Sequence, residues 1–216
     1  MIGVIEIENV TLEIKNKAIL TDITVSLDDG KIHGFVGRNG SGKTVLMKCI
    51  CGFMKPTGGR ITVNGKVIGK DCDFPEKTGV IIETPRFIDY YSGLKNLKML
   101  ASINHSIDDK RIKEIIEYVG LDPESRLHVG KYSLGMRQRL GLAQAIMEDP
   151  VLLILDEPFN GLDIEGVEEM RKYLLAQKMA GKTMIISSHS KEDIDILCDD
   201  YIVLDKGKII EKRLKL

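Results

Sequence analysis

The sequence predicts an α/β fold, and three observations carry that prediction. Strands and helices alternate through the last third, a glycine-rich loop from Gly37 to Gly42 joins an apolar strand to a helix, and Val151 to Leu155 are apolar without a break. A strand of that last kind is buried on both faces, as in a parallel sheet covered on either side.

In order along the chain, the first third has the period of two of β-structure. Ile5 and Ile7, then Leu12 and Ile14, then Ile23, Val25 and Leu27 alternate with other residues, and turn signals stand at Asn16-Lys17 and Asp28-Asp29-Gly30. Ile32 to Val36 reads as the strand before the glycine-rich loop, and the following helix runs to Cys51 and stops at Gly52. Ile61 to Val63 and Val80 to Ile82 read as short strands. From about Leu94 to Tyr118 the period turns helical, with Leu97, Leu100, Ala101 and Asn104, then Ile112, Ile115, Ile116 and Val119, and Gly120 as a stop. A further helix is expected from Leu134 to about Met147, with Ser133 as its N-cap, Met136, Leu140, Ala143 and Met147 on one face, and Pro150 barring continuation. Beyond the apolar strand come a helix from about Val167 to Lys178, a strand from Thr183 to Ser188, a short helix near Ile194 and a hairpin turning at Asp205-Lys206-Gly207-Lys208. This is one domain: residues 1–82 and 141–216 form the core, and 83–140 a mostly helical insertion.

Composition narrows the function. The 31 Lys and Arg nearly balance 32 Asp and Glu, for a net charge of -1, so no bulk basicity points to nucleic acid. Cys49, Cys51, Cys72 and Cys198 lack paired CxxC spacing, and Cys49 and Cys51 fall on a helix as buried small hydrophobes. The start, Met1 to Glu6, has neither the basic flank nor the long apolar run of a signal peptide, and no apolar run is long enough to span a bilayer. A soluble cytoplasmic protein is expected.

Gly37-Arg38-Asn39-Gly40-Ser41-Gly42-Lys43-Thr44 fits GxxxxGK[ST], the P-loop. Its glycines let backbone N–H groups curl round phosphates at a helix N-terminus, where the helix dipole favours negative charge. Lys43 supplies a cation to the β- and γ-phosphates, the Thr44 hydroxyl is a magnesium ligand, and Val45 closes the nucleotide-binding stretch. Asp156-Glu157 ends the apolar strand, at the edge where open α/β sheets bind ligands. A carboxylate pair there is costly unless it meets a cation or a polar ligand. In P-loop enzymes Asp at this point holds magnesium, and the next carboxylate, Glu157, is placed to polarise an attacking water. Together these motifs predict a P-loop NTPase core of RecA-like type, binding a nucleotide and Mg2+.

Tyr132-Ser133-Leu134-Gly135-Met136-Arg137-Gln138-Arg139-Leu140 decides which kind. It resembles the signature segment of ABC ATPases, usually Leu-Ser-Gly-Gly-Gln. Ser133 and Gly135 match, while Leu134 and Met136 depart in the way of bacitracin- and lantibiotic-resistance exporters. The resemblance covers nearly the whole chain. Phe159-Asn160-Gly161-Leu162-Asp163 is similar to the family's D-loop, and His189 stands where its switch histidine does.

The resemblance implies an ATP-hydrolysing transporter subunit with an antiparallel β-subdomain and a helical subdomain carrying the signature. In that family two chains, identical or sister, clamp two ATP head to tail, each signature closing on the partner's nucleotide. Ser133 and Gly135 would bind that phosphate, and His189 would meet the γ-phosphate and the water, although a lone His is also often structural. Asp163 would bridge to the partner or simply cap a helix. Ile14 stands where the family has an aromatic that stacks on adenine, which leaves the base weakly read. Glu83 replaces a Gln that contacts magnesium. The implied partner is a separate membrane-spanning subunit, seated near Glu83 to Tyr91, with the ATPase on the inner face of the cell membrane and export favoured over import. The alternative is a soluble ABC ATPase acting on nucleic acid or ribosomes. Such members typically carry two cassettes, a coiled-coil insertion or zinc-binding cysteines, none of which stands here. A small-molecule P-loop kinase would have no use for the signature.

Overall fold

The computed structural model describes residues 5–104 and 107–214, so the reading of Met1 to Val4 falls outside it. The chain opens with an antiparallel pair, β1 (Ile5–Ile14) and β2 (Lys17–Leu27), then β3 (Ile32–Val36), α1 (Lys43–Ile50), β4 (Gly58–Val63), β5 (Lys66–Val67) and β6 (Thr78–Ile81). Then come α2 (Gly93–Asn104), α3 (Asp109–Tyr118), a single 3-10 turn (Val129–Lys131) and α4 (Leu134–Ile146). β7 (Leu152–Asp156), α5 (Ile164–Met179), β8 (Thr183–Ser187), α6 (Lys191–Leu197), β9 (Asp200–Asp205) and β10 (Lys208–Leu214) complete it.

Two sheets result. A 4-stranded antiparallel sheet has the order β2-β1-β4-β5, and a 6-stranded sheet the order β10-β9-β3-β8-β7-β6. The second is parallel from β9 to β6, with β10 antiparallel at its edge. It divides the core. Leu153 and Leu155 of β7 face the layer that holds α4, α5 and α6, whereas Leu152 and Ile154 face α1 and the antiparallel sheet. Every residue of β7 is buried, which is why its sequence does not alternate. β1 alternates on either side of an irregularity at Asn9, with Ile5 and Ile7, then Val10 and Leu12, buried and Glu6 and Glu13 exposed, because only one face of that sheet is covered. Each fully buried Leu or Ile stabilises the fold by roughly 1.5–3 kcal/mol relative to an exposed one, so Ile154→Ala would cost about 2–5 kcal/mol.

The expected elements are present, with shifted ends. α5 begins at Ile164, one turn before Val167, because Asp163 accepts from Gly166 N–H at 2.9 Å and starts the helix early. Its first residue, Ile164, is 83% exposed, so that turn carries no apolar signal. β6 stops at Ile81 rather than Ile82, just before Glu83 turns the backbone to a φ of 61°. α4 runs unbroken across position 140, with the signature at its start and its body packed on β6. Cys49 and Cys51 are buried hydrophobes, and burial pushes their thiols up to about 11 and about 12 respectively.

Candidate functional site

The site lies where the C-terminal ends of β3 and β7 meet the start of α1. A cleft of about 440 Å³ there is lined by Ile19, Asn39, Gly40, Ser41, Gly42, Lys43, Thr44, Val45, Asp156 and Glu157. Residues more than a hundred positions apart in sequence are thus brought together, because β3 and β7 flank β8 in one parallel sheet.

Lys43 is buried at the first position of α1, and its ammonium donates to the carbonyl of Gly37 at 2.6 Å. Thr44 Oγ1 donates to Asp156 Oδ2 at 2.7 Å, and Ser187 Oγ donates to Asp156 Oδ1 at 2.5 Å. Asp156 is therefore held from both sides, by the loop and by β8. Glu157 follows with a φ of 49°, a conformation that costs a non-glycine residue of order 1 kcal/mol or more. Its N–H is tied to Ser187, to the carbonyl at 3.2 Å and to Oγ at 2.9 Å, which sustains the turn. His189 Nδ1 donates to Glu157 Oε2 at 2.8 Å. The ring is 70% exposed, while the carboxylate is mostly buried.

The residues fit a nucleotide and its metal. Ser41 Oγ is buried and has no hydrogen-bond partner among the described residues, a state that costs about 1–3 kcal/mol unless a ligand meets it. The Thr44 hydroxyl and the Asp156 carboxylate form an all-oxygen set suited to a hard divalent cation.

Besides the signature residues, Ile14 and Glu83 lie apart from this cleft. Ile14 is 40% exposed at the end of β1 and does not line it; Ile19 does. Glu83 lines a neighbouring groove with Phe53, Thr84, Pro85, Arg86 and Gly141, and its carboxylate accepts from Lys48 Nζ at 2.6 Å. That bond and the Lys48 charge hold the Glu83 carboxyl below its usual range. Periodicity could not foresee either placement, since both depend on how a turn emerges from a strand.

The signature segment lies at the start of α4, away from the cleft. Ser133 Oγ accepts from Met136 N–H at 3.1 Å, which makes it an N-cap. A Cβ on Gly135 would stand 2.8 Å from the Gly161 carbonyl, so the signature and the D-loop are packed backbone to backbone. Gln138 is buried and donates to the Pro158 carbonyl at 3.0 Å, linking α4 to the loop after Glu157. Asp163 caps α5. Gln138 falls inside the signature segment, whereas no motif in the sequence marks Ser187. Ser187 ends an apolar strand, which was its one visible signal.

Known proteins bear on these observations. The family model for ABC transporters matches residues 20–160. YybJ, an uncharacterized ABC transporter ATP-binding protein of Bacillus subtilis (strain 168), is 42% identical over 205 residues, covering 95% of this chain and 94% of the relative. BcrA, the bacitracin transport ATP-binding protein of Enterococcus faecalis, is 39% identical over 213 residues, or 97% of this chain and 68% of the relative. A solved ATP-binding subunit of an ABC transporter superposes with a TM-score of 0.88 at 25% identity, covering 98% of this chain and 90% of that one. No helix among the described residues is long and apolar enough to cross a membrane. The chain belongs to the ABC transporter family, as one of its ATP-binding and ATP-hydrolysing subunits.

Proposed function

We propose that this subunit powers export through a separate membrane-spanning chain, working on the inner face of the cell membrane as an ATP-dependent head-to-tail dimer with itself or a sister ATPase. One observation carries the chemistry: Thr44, Asp156 and Glu157 stand together at the mouth of the phosphate loop, with Asp156 clamped between two hydroxyls. In this reading Lys43 exchanges its loop carbonyl for the β- and γ-phosphates, and Gly37, Arg38, Asn39, Gly40, Ser41, Gly42 and Val45 line the nucleotide. Thr44 and Asp156 hold magnesium, which when bound neutralises phosphate charge. Glu157 takes the proton of a water as its oxygen attacks the γ-phosphorus and ADP departs, and His189 steadies that carboxylate and the γ-phosphate. Glu83 reaches the metal only after leaving Lys48. That exposed ion pair is worth about 0–1 kcal/mol, so its loop moves at small cost.

Ser133 and Gly135 serve the partner's nucleotide. With the Ser133 oxygen accepting from Met136, its hydroxyl proton stays available to donate to a phosphate. Supporting the membrane partner is the groove of about 330 Å³ lined by Phe53, Ile82 to Arg86, Gly141 and Gln144, at whose rim Phe53 is 55% exposed. The kinship with a bacitracin transport protein supports export. The decisive test is light scattering on Glu157→Gln with and without MgATP. A nucleotide-dependent dimer is expected, and a monomer in both states at tens of micromolar would refute the clamp.

A further inference from the structure

The hairpin that ends the chain touches the back of the phosphate loop. Lys206 and Gly207 form its turn with φ of 46° and 76°, the two left-handed residues of a type I′ turn. Gly207 N–H donates to the carbonyl of Ser41 at 2.9 Å, and the carbonyl of Gly207 accepts from Thr21 N–H at 2.8 Å. A single residue thus ties the C-terminal hairpin to the loop and to β2. No side chain fits there, because a Cβ at 207 would lie 2.1 Å from the carbonyl oxygen of Ile19, itself a cleft residue. The same hairpin meets the other end of the loop, where a Cβ on Gly37 would stand 2.3 Å from the carbonyl oxygen of Leu204.

Peptide geometry gives these contacts a consequence. The carbonyl of Ser41 and the N–H of Gly42 belong to one planar trans unit and point in opposite directions. With the carbonyl anchored on the hairpin, the Gly42 N–H faces away from it. We propose that Gly207 is a positioning residue for the nucleotide: its N–H holds the Ser41–Gly42 peptide so that the Gly42 N–H is aimed at the bound phosphates. This rests on Gly37 to Thr44 being the phosphate cradle. An N–H donating to phosphate is a charge-assisted hydrogen bond. It is made in ground state and transition state alike, so its loss raises KM and leaves kcat.

Gly207→Ala drives a methyl group against the Ile19 carbonyl and moves the turn. The Kd of the full chain for ADP by calorimetry, and the KM of the assembled transporter for ATP, should each rise about tenfold or more, with kcat within about twofold. A merely structural defect would lower the active fraction, so a fall in kcat at unchanged KM overturns the proposal. Lys43→Ala is the control. If Lys43→Ala also keeps its ADP affinity, the cradle is elsewhere and both ideas fall. If Lys43→Ala loses ADP while Gly207→Ala binds it within about twofold of the wild type, only the role of Gly207 falls. Should Gly207→Ala not fold, ligation of a synthetic 198–216 segment at Cys198 can place glycolic acid at 207. That change deletes the N–H and adds no side chain; the same tenfold loss is expected, and a change under twofold refutes the proposal.

Discussion

The phosphate loop and the signature segment are both helix starts that expose backbone N–H groups, yet this chain treats them differently. Around the loop, Thr44, Asp156, Ser187, Glu157 and His189 form a connected set of hydrogen bonds drawn from α1, β7, β8 and the strand ends, and Lys43 is bonded separately to the loop carbonyl of Gly37. The signature has one local cap from Ser133, an exposed Leu134, a backbone contact to Gly161 and, a turn further on, the Gln138 bond to Pro158. The hydrogen bonds of the first region all close within one chain, whereas Ser133 and Leu134 of the second are open to solvent. That contrast separates residues that should act on bound nucleotide in the lone subunit from residues that should act only in an assembly.

The largest effect is expected at Glu157. Glu157→Gln should keep ADP and ATP binding but cut hydrolysis by about a hundredfold or more, the usual worth of a positioned general base. Steady-state ATPase measurements that stay within tenfold of wild type would remove Glu157 from that role. Ser133→Ala probes the other side of the contrast. ATP hydrolysis by the assembled transporter should fall about tenfold, as expected for a lost hydrogen bond to a charged group, while ADP affinity of the single subunit holds within about twofold. Loss of the cap should also cost about 1 kcal/mol of stability. Calorimetry showing weakened ADP binding in the lone subunit would dissolve the distinction between the two regions.

A smaller effect belongs to Glu83, which lines the groove beside Gly141, apart from both. On the proposed function, Glu83→Gln removes one negative charge that would face the metal. The magnesium concentration for half-maximal ATPase activity should rise by more than about twofold, given the strength of a charge facing a divalent ion. A smaller change would leave Glu83 as the surface partner of Lys48.

The last effect concerns stability rather than activity, at the starts of β3 and β9, the end of the sheet away from the cleft. Burial would raise the carboxyl of Asp199, but hydrogen bonds from Lys178 and Ile32 N–H, with the Lys178 charge, outweigh it and hold the group below 3.8. A depressed carboxylate stabilises the folded state above its unfolded pKa, and that contribution fades as pH falls through the folded value. Asp199→Asn should therefore cost about 1–2 kcal/mol in urea unfolding near neutral pH, and less once the pH falls below the ordinary carboxylate range. A cost that does not change with pH would assign the effect to packing instead.

The sequence by itself determined the α/β class, the loop from Gly37 to Thr44, Asp156-Glu157 and the signature, because those depend on local periodicity and on spacing within single segments. β7 was legible since burial on both faces permits apolar residues alone, and the α4 start was legible since Ser133 caps it with its own side chain. The tertiary structure alone decided that Ser187 would clamp Asp156, that Ile19 rather than Ile14 would line the cleft, that Glu83 would turn to Lys48, and that Gly207 would brace Ser41. Each of these joins segments that are remote in sequence, through strand order and the direction in which a turn leaves its strand. Hydrophobic pattern sets which face of an element is buried, but it carries no record of which distant backbone amide will meet which carbonyl once the sheet has closed.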